Sequence, residues 1–414
     1  RSLGVNTALA KFTAEFRMQK DWARIKTAAR YYLIIESSVY ICMVIALLFS
    51  AQSLATLYFK NSAATPVLFL LIIAFGFSLL ESLYGALFHG LYEMKYYALL
   101  SFFRNLFVFG AAWVMFTLGF GVAAPAWAYV IAYGLTGILA WGWYRALLPK
   151  ATRPRRDIPL LKRMFSYGAS VFVTNTTTVG LANVDTVILT SFTSLVEVGW
   201  YNVALPTSNV VRHLFRSIAT VLFPLSSELY AAKNPAFAPG VTKLYRYVFA
   251  LVVPCAIGLA TLSSPVLLVF FGSEYVPASA ILAILSIGLV FSILFMIVSN
   301  ILNGIGAVVS NSIITVGGSL VLILGGLITV PFFGVIGVAS ANTFSQFVMM
   351  FAALVVLQKK IDARIPWSAW IRTMFCAGTI PLVILLINYA HLPLTVHLGV
   401  SVLLAGGVYL LGIF

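Results

Sequence analysis

The sequence predicts an all-α, polytopic membrane protein with about twelve transmembrane helices. Three observations support that class. First, 61% of the 414 residues are apolar and only 9% are charged, with a mean hydropathy of +1.01. A water-soluble domain carries roughly a quarter charged residues. Second, apolar runs of about 20 residues, enough to cross a bilayer as helix, recur along the chain. They fall at 31–54, 65–89, 96–118, 122–145, 164–190, 199–229, 245–270, 277–301, 309–331, 335–358, 368–389 and 394–414. Third, the basic residues are sorted by side. Seven Lys and Arg lie in 1–30, one in 90–95, seven in 145–163, three in 230–246 and four in 359–372. These 22 of 26 share one side of the alternating topology, whereas Lys60 lies on the other and Arg104, Arg212 and Arg216 lie inside spans. The bias places both termini in the cytoplasm, with the chain in the inner (cytoplasmic) membrane. The net charge of +15 is then a topology signal with some attraction to anionic headgroups. No nucleic-acid partner is expected.

Taken in order, residues 1–30 read as an amphipathic cytoplasmic segment. With the four spans after it, this forms the remainder of an N-terminal lobe, 1–145. Residues 146–163 hold Lys150, Arg153, Pro154, Arg155, Arg156 and Pro159, the mixture of proline and charge of a cytoplasmic linker. A C-terminal lobe of six spans follows over 164–358, and two further apolar spans occupy 359–414.

An internal duplication underlies this division. Glu15 and Lys20 correspond to Glu228 and Lys233 at an offset of 213 residues. Leu57-Tyr58-Phe59 matches Val269-Phe270-Phe271 at 212, and His89-Gly90 matches Asn303-Gly304 at 214. Such repeats are common in transporters, and two pseudo-symmetric helical bundles are expected. The second copy has two spans before its Glu228 segment and the first has none before Glu15. The natural protein is therefore expected to carry about fourteen helices, two of them N-terminal to this chain.

Polar residues inside spans mark where function is to be sought. Asn209, Arg212, His213 and Arg216 fall at i, i+3, i+4 and i+7, one stripe of a helix. Two guanidiniums at that depth must face protein or a watery cavity, so the stripe reads as a basic wall for an anionic substrate. The competing reading pairs them with buried carboxylates. Glu36, Glu81 and Arg104-Asn105 lie in three successive spans, each roughly 8–13 Å from the cytoplasmic end. Two acids and one guanidinium leave one carboxylate to be protonated or to bind a cation. Glu36 or Glu81 is thus a candidate to take up a coupling H⁺ or Na⁺, against a structural ion pair. Thr174, Asn175, Thr177, Thr178, Asn183 and Asp185 give the span 164–190 a polar face suited to a hydrated cavity or to gluing helices together. Asp185 is a further candidate for ion coupling, or it organises the short Thr193–Val198 hairpin.

No enzyme signature is present in the sequence. His89, His213, His391 and His397 are scattered, and Cys42, Cys255 and Cys376 sit in apolar runs at no metal-ligand spacing. There is no phosphate loop and no nucleophile elbow. Neither metal nor cofactor is expected, and any active transport must be driven by an ion or a partner.

Three stretches carry a resemblance. Asn183-Val184-Asp185-Thr186-Val187-Ile188-Leu189 followed by Glu197-Val198-Gly199-Trp200-Tyr201-Asn202 resembles the paired-helix motif of the polysaccharide transport family. Phe270-Phe271-Gly272-Ser273-Glu274-Tyr275 with Leu282-Ala283-Ile284-Leu285 resembles its following loop and helix, and Asn303-Gly304-Ile305-Gly306 its small-residue turn. These are the O-unit flippases of the multidrug/oligosaccharidyl-lipid/polysaccharide exporter superfamily, and the similarity covers essentially the whole chain in span order. It implies two lobes of a fourteen-helix protein working by alternating access. Such proteins move undecaprenyl-diphosphate-linked oligosaccharides out of the cytoplasmic leaflet for cell-surface polysaccharide synthesis.

The expected function is therefore that of a flippase for a lipid-linked oligosaccharide. Arg212, Arg216 and His213, with Asn209 and Arg104, would meet the diphosphate or acidic sugars. Glu36, Glu81 and Asp185 are the candidates for ion coupling. Membrane lipids surround it, and a polysaccharide polymerase and chain-length proteins are candidate partners. A lipid II flippase or a multidrug/cation antiporter is the near alternative, although a cationic drug would suit an acidic cavity. A membrane-embedded polymerase is the distant one, and the longest external loop, about ten residues, is too short for its usual catalytic loop.

Overall fold

The computed structural model describes residues 5–59, 64–147, 154, 156–169, 183–388 and 393–413, with no strand among them. The chain divides into two compact units, Arg1–Ala182 and Asn183–Phe414. Eight helices among the described residues are long and apolar enough to cross a membrane. The protein is an all-α, multi-pass membrane protein.

The first unit holds α1 (Val5–Met18), α2 (Trp22–Ser53), α3 (Ala64–Gly90), α4 (Met94–Thr117), α5 (Ala124–Leu147) and α6 (158–169). Helix α1 buries Val5, Ala8, Leu9, Phe12 and Phe16, one apolar stripe at helical spacing, and packs on α3. Its core continues through Ile25, Tyr32, Leu87, Phe88, Leu160 and Met164. The amphipathic segment is thus a packed part of the unit, its apolar face covered by protein. Asp21 caps α2, its Oδ1 accepting from the Arg24 N–H at 3.0 Å.

The second unit holds α7 (Val184–Phe192), α8 (Leu195–Ala231), α9 (Phe237–Thr261), α10 (Ser263–Phe271), α11 (Ser279–Gly304), α12 (Val308–Lys360), α13 (Trp367–Ala377), α14 (Thr379–Asn388) and α15 (Leu394–Ile413). Ser194 and Glu197 form a capping box that starts α8 directly after α7, the tight turn expected near Thr193. Helix α11 is apolar all round because it is the unit's central element, packed against α8, α9 and α12.

The helices relate to the apolar runs in specific ways. The runs 309–331 and 335–358 are two helices, labelled together as α12, that meet at a kink at Gly334, whose φ of 54° and ψ of −132° only glycine adopts readily. The run 368–389 holds α13 and α14 as one span, separated by Gly378 alone, whose φ of −62° and ψ of −17° stay in the helical region, and Pro381 withholds a backbone N–H just beyond it. Of the run 164–190, residues 170–182 lie outside the described residues, and with them Thr174, Asn175, Thr177 and Thr178.

The repeat is visible as geometry within each unit. Lys20 and Lys233 have φ of 54° and 47°, a left-handed conformation shared among described non-glycine residues only by Tyr92. The Lys20 N–H donates to Arg17 O at 3.0 Å and that of Asp21 to Phe16 O at 3.0 Å. At the same offset, Lys233 N–H donates to Tyr230 O at 3.1 Å and Asn234 N–H to Leu229 O at 3.0 Å. Both are Schellman ends. A Cβ at Gly90 would lie 2.5 Å from Ala10 O, and one at Gly304 would lie 2.5 Å from Phe223 O, again equivalent partners. In each unit the same helix end is therefore seated on the same glycine.

Candidate functional site

In the first unit, α3 and α4 bring Glu81 and Arg104 together. Arg104 Nη1 donates to Glu81 Oε1 at 2.9 Å, and Nε reaches Asn105 Oδ1 at 3.5 Å. The carboxylate is nearly enclosed while the guanidinium side chain is 33% exposed, so one flank of the arginine remains open. Two cavities meet at this pair. One, of about 560 Å³, reaches the loop end of the helices past Lys11, His89 and Ser101. The other, of about 930 Å³, runs into the span past Asn105, Tyr129 and Tyr133. Asn6, Ser82 and Tyr97 line both. A polar file thus crosses part of the unit, interrupted by one ion pair.

Glu36, on α2, is buried at 2% exposure and lies near the Tyr32 hydroxyl one turn earlier, which Ser82 also approaches. It lines neither cavity. Of the two acids, Glu81 is the one that Arg104 holds.

In the second unit, α8 carries Asn209 and Arg212 half-buried and His213 and Arg216 exposed. They form one stripe because the capping box starts the helix and no break intervenes before Ala231. Neither arginine enters an ion pair among the described residues. The like charges stand one turn apart, an unfavourable arrangement without an anion nearby.

Asp185 is buried at 3% exposure in the first turn of α7. Its Oδ2 accepts from the Tyr201 hydroxyl at 2.6 Å and its Oδ1 from the Thr186 N–H at 2.8 Å. Asn342 of α12 also reaches Tyr201, so the Tyr201 hydroxyl joins α8 to α7 and α12. In the sequence Tyr201 stood out only as part of a family motif and Asn342 not at all, since a tyrosine in a span reads as apolar. Sequence reasoning also missed an amide cluster in which Asn311 Nδ2 donates to Ser299 Oγ at 2.8 Å and to Asn303 Oδ1 at 3.0 Å. No group of three or more His, Cys, Asp or Glu able to hold a metal occurs among the described residues.

The family model for polysaccharide biosynthesis proteins matches residues 2–280, and that for the lipid II flippase MurJ matches residues 159–409. An uncharacterized membrane protein of Methanocaldococcus jannaschii is 26% identical over all of this chain and 85% of its own length. A probable low-salt glycan biosynthesis flippase of Haloferax volcanii, Agl15, is 23% identical over 54% of this chain and 47% of its own. Among solved structures, the lipid II flippase MurJ in an inward closed conformation superposes with a TM-score of 0.79 at 15% identity, covering 99% of this chain and 88% of that one. An inward-facing multidrug resistance MATE family transporter gives 0.67, also at 15% identity, over 87% and 86% of the two chains. At that identity the likeness is one of fold.

Proposed function

Because the chain belongs to the polysaccharide biosynthesis protein family, among the flippases and transporters of the multidrug/oligosaccharidyl-lipid/polysaccharide exporter superfamily, we propose that it flips an undecaprenyl-diphosphate-linked oligosaccharide across the cytoplasmic membrane. The observation that carries this reading is the α8 stripe, two arginines one turn apart with no carboxylate partner among the described residues. A diphosphate supplies the charge that the pair lacks, and guanidiniums match phosphate oxygens in bidentate geometry. His213 and Asn209 extend the wall, while the lipid tail stays in the bilayer. Arg104, Glu81 and Glu36 form a polar layer in the first unit, with Glu81 best placed to exchange Arg104 for a proton or Na⁺. Asp185, already bonded to Tyr201, has the weaker claim. Both termini face the cytoplasm, and a polymerase and chain-length proteins would receive the product.

The test is made in cells deleted for the gene. With an impermeant lectin or enzyme, the leaflet on which the lipid-linked oligosaccharide accumulates is determined. Accumulation on the cytoplasmic side, relieved by the intact gene and not by an Arg212→Ala/Arg216→Ala variant that inserts normally, is the expected result. Normal export by that variant would sink the basic wall. Single repeat units stranded on the outer face would point instead to a polymerase. A lipid II flippase is the second reading, favoured by the family match over 159–409. It is distinguished by accumulation of the peptidoglycan precursor in place of the polysaccharide one.

A further inference from the structure

The internal duplication supplies a control on the first unit. At the repeat offsets of 213 and 214, Lys11, Glu81 and Arg104 correspond to Pro224, Phe295 and Gly318. Phe295 belongs to the apolar core of the second unit, and Gly318 is packed against Met349. The shared scaffold folds without these three charges. Their presence in the first copy therefore answers a need other than folding. They also face the same cavity, of about 560 Å³, at the end where the loops are basic.

We propose that this cavity is a second anion site, taking a phosphate-bearing group between Lys11 and Arg104. It goes beyond the reading above, which places the diphosphate on α8. Lys11 and Arg104 stand there against one carboxylate, Glu81. The Lys11 ammonium lies 4.2 Å from the centre of the Tyr167 ring, which positions it without neutralising it. Arg104 donates to Glu81 and Asn105, and its remaining N–H groups have no partner among the described residues. Ser101, Ser82, Asn6 and His89 line the cavity beside Ala10, Met94 and Leu100, a mixed wall whose hydroxyl, amide and imidazole groups can hydrogen-bond a headgroup. Glu81 is the internal occupant of the arginine and competes with the ligand. A bound phosphate takes over N–H groups that Glu81 otherwise holds.

The competition gives the experiment opposite signs. Inorganic pyrophosphate is titrated by calorimetry into the purified full chain carrying Arg212→Ala/Arg216→Ala, which silences the α8 stripe. Binding should persist, weaken about tenfold in Lys11→Ala and in Arg104→Ala, recover in Lys11→Arg, and tighten in Glu81→Gln. A parallel arm incorporates the same variants into nanodiscs of phosphatidylglycerol and counts retained lipid by native mass spectrometry. Lys11-dependent lipid retention without pyrophosphate binding identifies the ligand as a phospholipid headgroup. Pyrophosphate binding identifies a diphosphate that the site can take free of lipid. Loss of all binding in the Arg212→Ala/Arg216→Ala background, or binding indifferent to both Lys11 and Arg104, overturns the site. Neither result bears on the leaflet measurement, so the two readings fail separately.

Discussion

At the residue scale, the closest approaches to backbone atoms among the described glycines are at the two on which the repeated helix ends rest. A Cβ at Gly90 would meet Ala10 O at 2.5 Å and Thr13 Cβ at 2.7 Å, and one at Gly304 would meet Phe223 O at 2.5 Å and Ser226 Cβ at 2.9 Å. Backbone oxygens cannot rotate away, so helices must part. We predict that Gly90→Ala and Gly304→Ala each destabilise by about 1–3 kcal/mol, read as a lower Tm of the purified protein. Gly110→Ala, in a helix interior with nothing within 4 Å, should leave Tm unchanged or raise it, since alanine is the better helix former. The glycine matches themselves were legible as a repeat. What they touch was not, because the contact joins residues some 80 positions apart in each unit. The polar role of Tyr201 was hidden for another reason, since its ring reads as apolar and its hydroxyl meets Asp185 only through the α7–α8 turn. Removing Asp185 leaves its hydroxyl buried with Asn342 alone, and Asp185→Ala and Tyr201→Phe should be markedly non-additive. A double-mutant cycle on Tm checks this, with a coupling of about 0.5–3 kcal/mol expected; simple additivity would mean the 2.6 Å bond contributes nothing separable.

At the scale of elements, hydropathy located the helices on either side of Gly334 and did not show how tightly they are joined. The runs 309–331 and 335–358 are separated in sequence by Phe332, Phe333 and Gly334. The backbone turns at one residue and holds helical geometry on either side. The reason is local: with φ of 54° and ψ of −132° available, Gly334 alone makes the turn. Gly334→Ala should therefore cost about 1–3 kcal/mol and reduce the yield of monodisperse protein on size exclusion. The start of α8 was more legible, since Ser194 and Glu197 have the spacing of a capping box. That cap fixes where the helix begins and so which face carries Asn209, Arg212, His213 and Arg216. Ser194→Ala should lower stability by about 1 kcal/mol without changing which side of the membrane the α8–α9 loop faces, as a cysteine-labelling experiment at Lys233 would show.

For the whole molecule, the two copies of the repeat bear differently on fold and function. The sequence made the copies recognisable through Glu15, Glu228, Lys20 and Lys233, and it placed Glu81 and Arg104 at similar depth in neighbouring spans. It could not say which acid the arginine takes, because Glu36 and Glu81 are equivalent by depth and differ only in packing. The second copy fills the positions of the pair with Phe295 and Gly318, showing that the architecture is satisfied by apolar groups there. Replacing an enclosed ion pair by apolar side chains of similar volume is often neutral or stabilising, whereas removing one partner strands a charge. We predict that Glu81→Met/Arg104→Met keeps or raises Tm while abolishing export of the lipid-linked oligosaccharide. Arg104→Met alone should lower Tm, since it leaves Glu81 enclosed at 9% side-chain exposure. Thermal unfolding and the leaflet assay on the same variants separate the two effects. Export at the normal rate by a stable double variant would make the pair a remnant of packing, and the working charges of the molecule would then be confined to the arginines of α8.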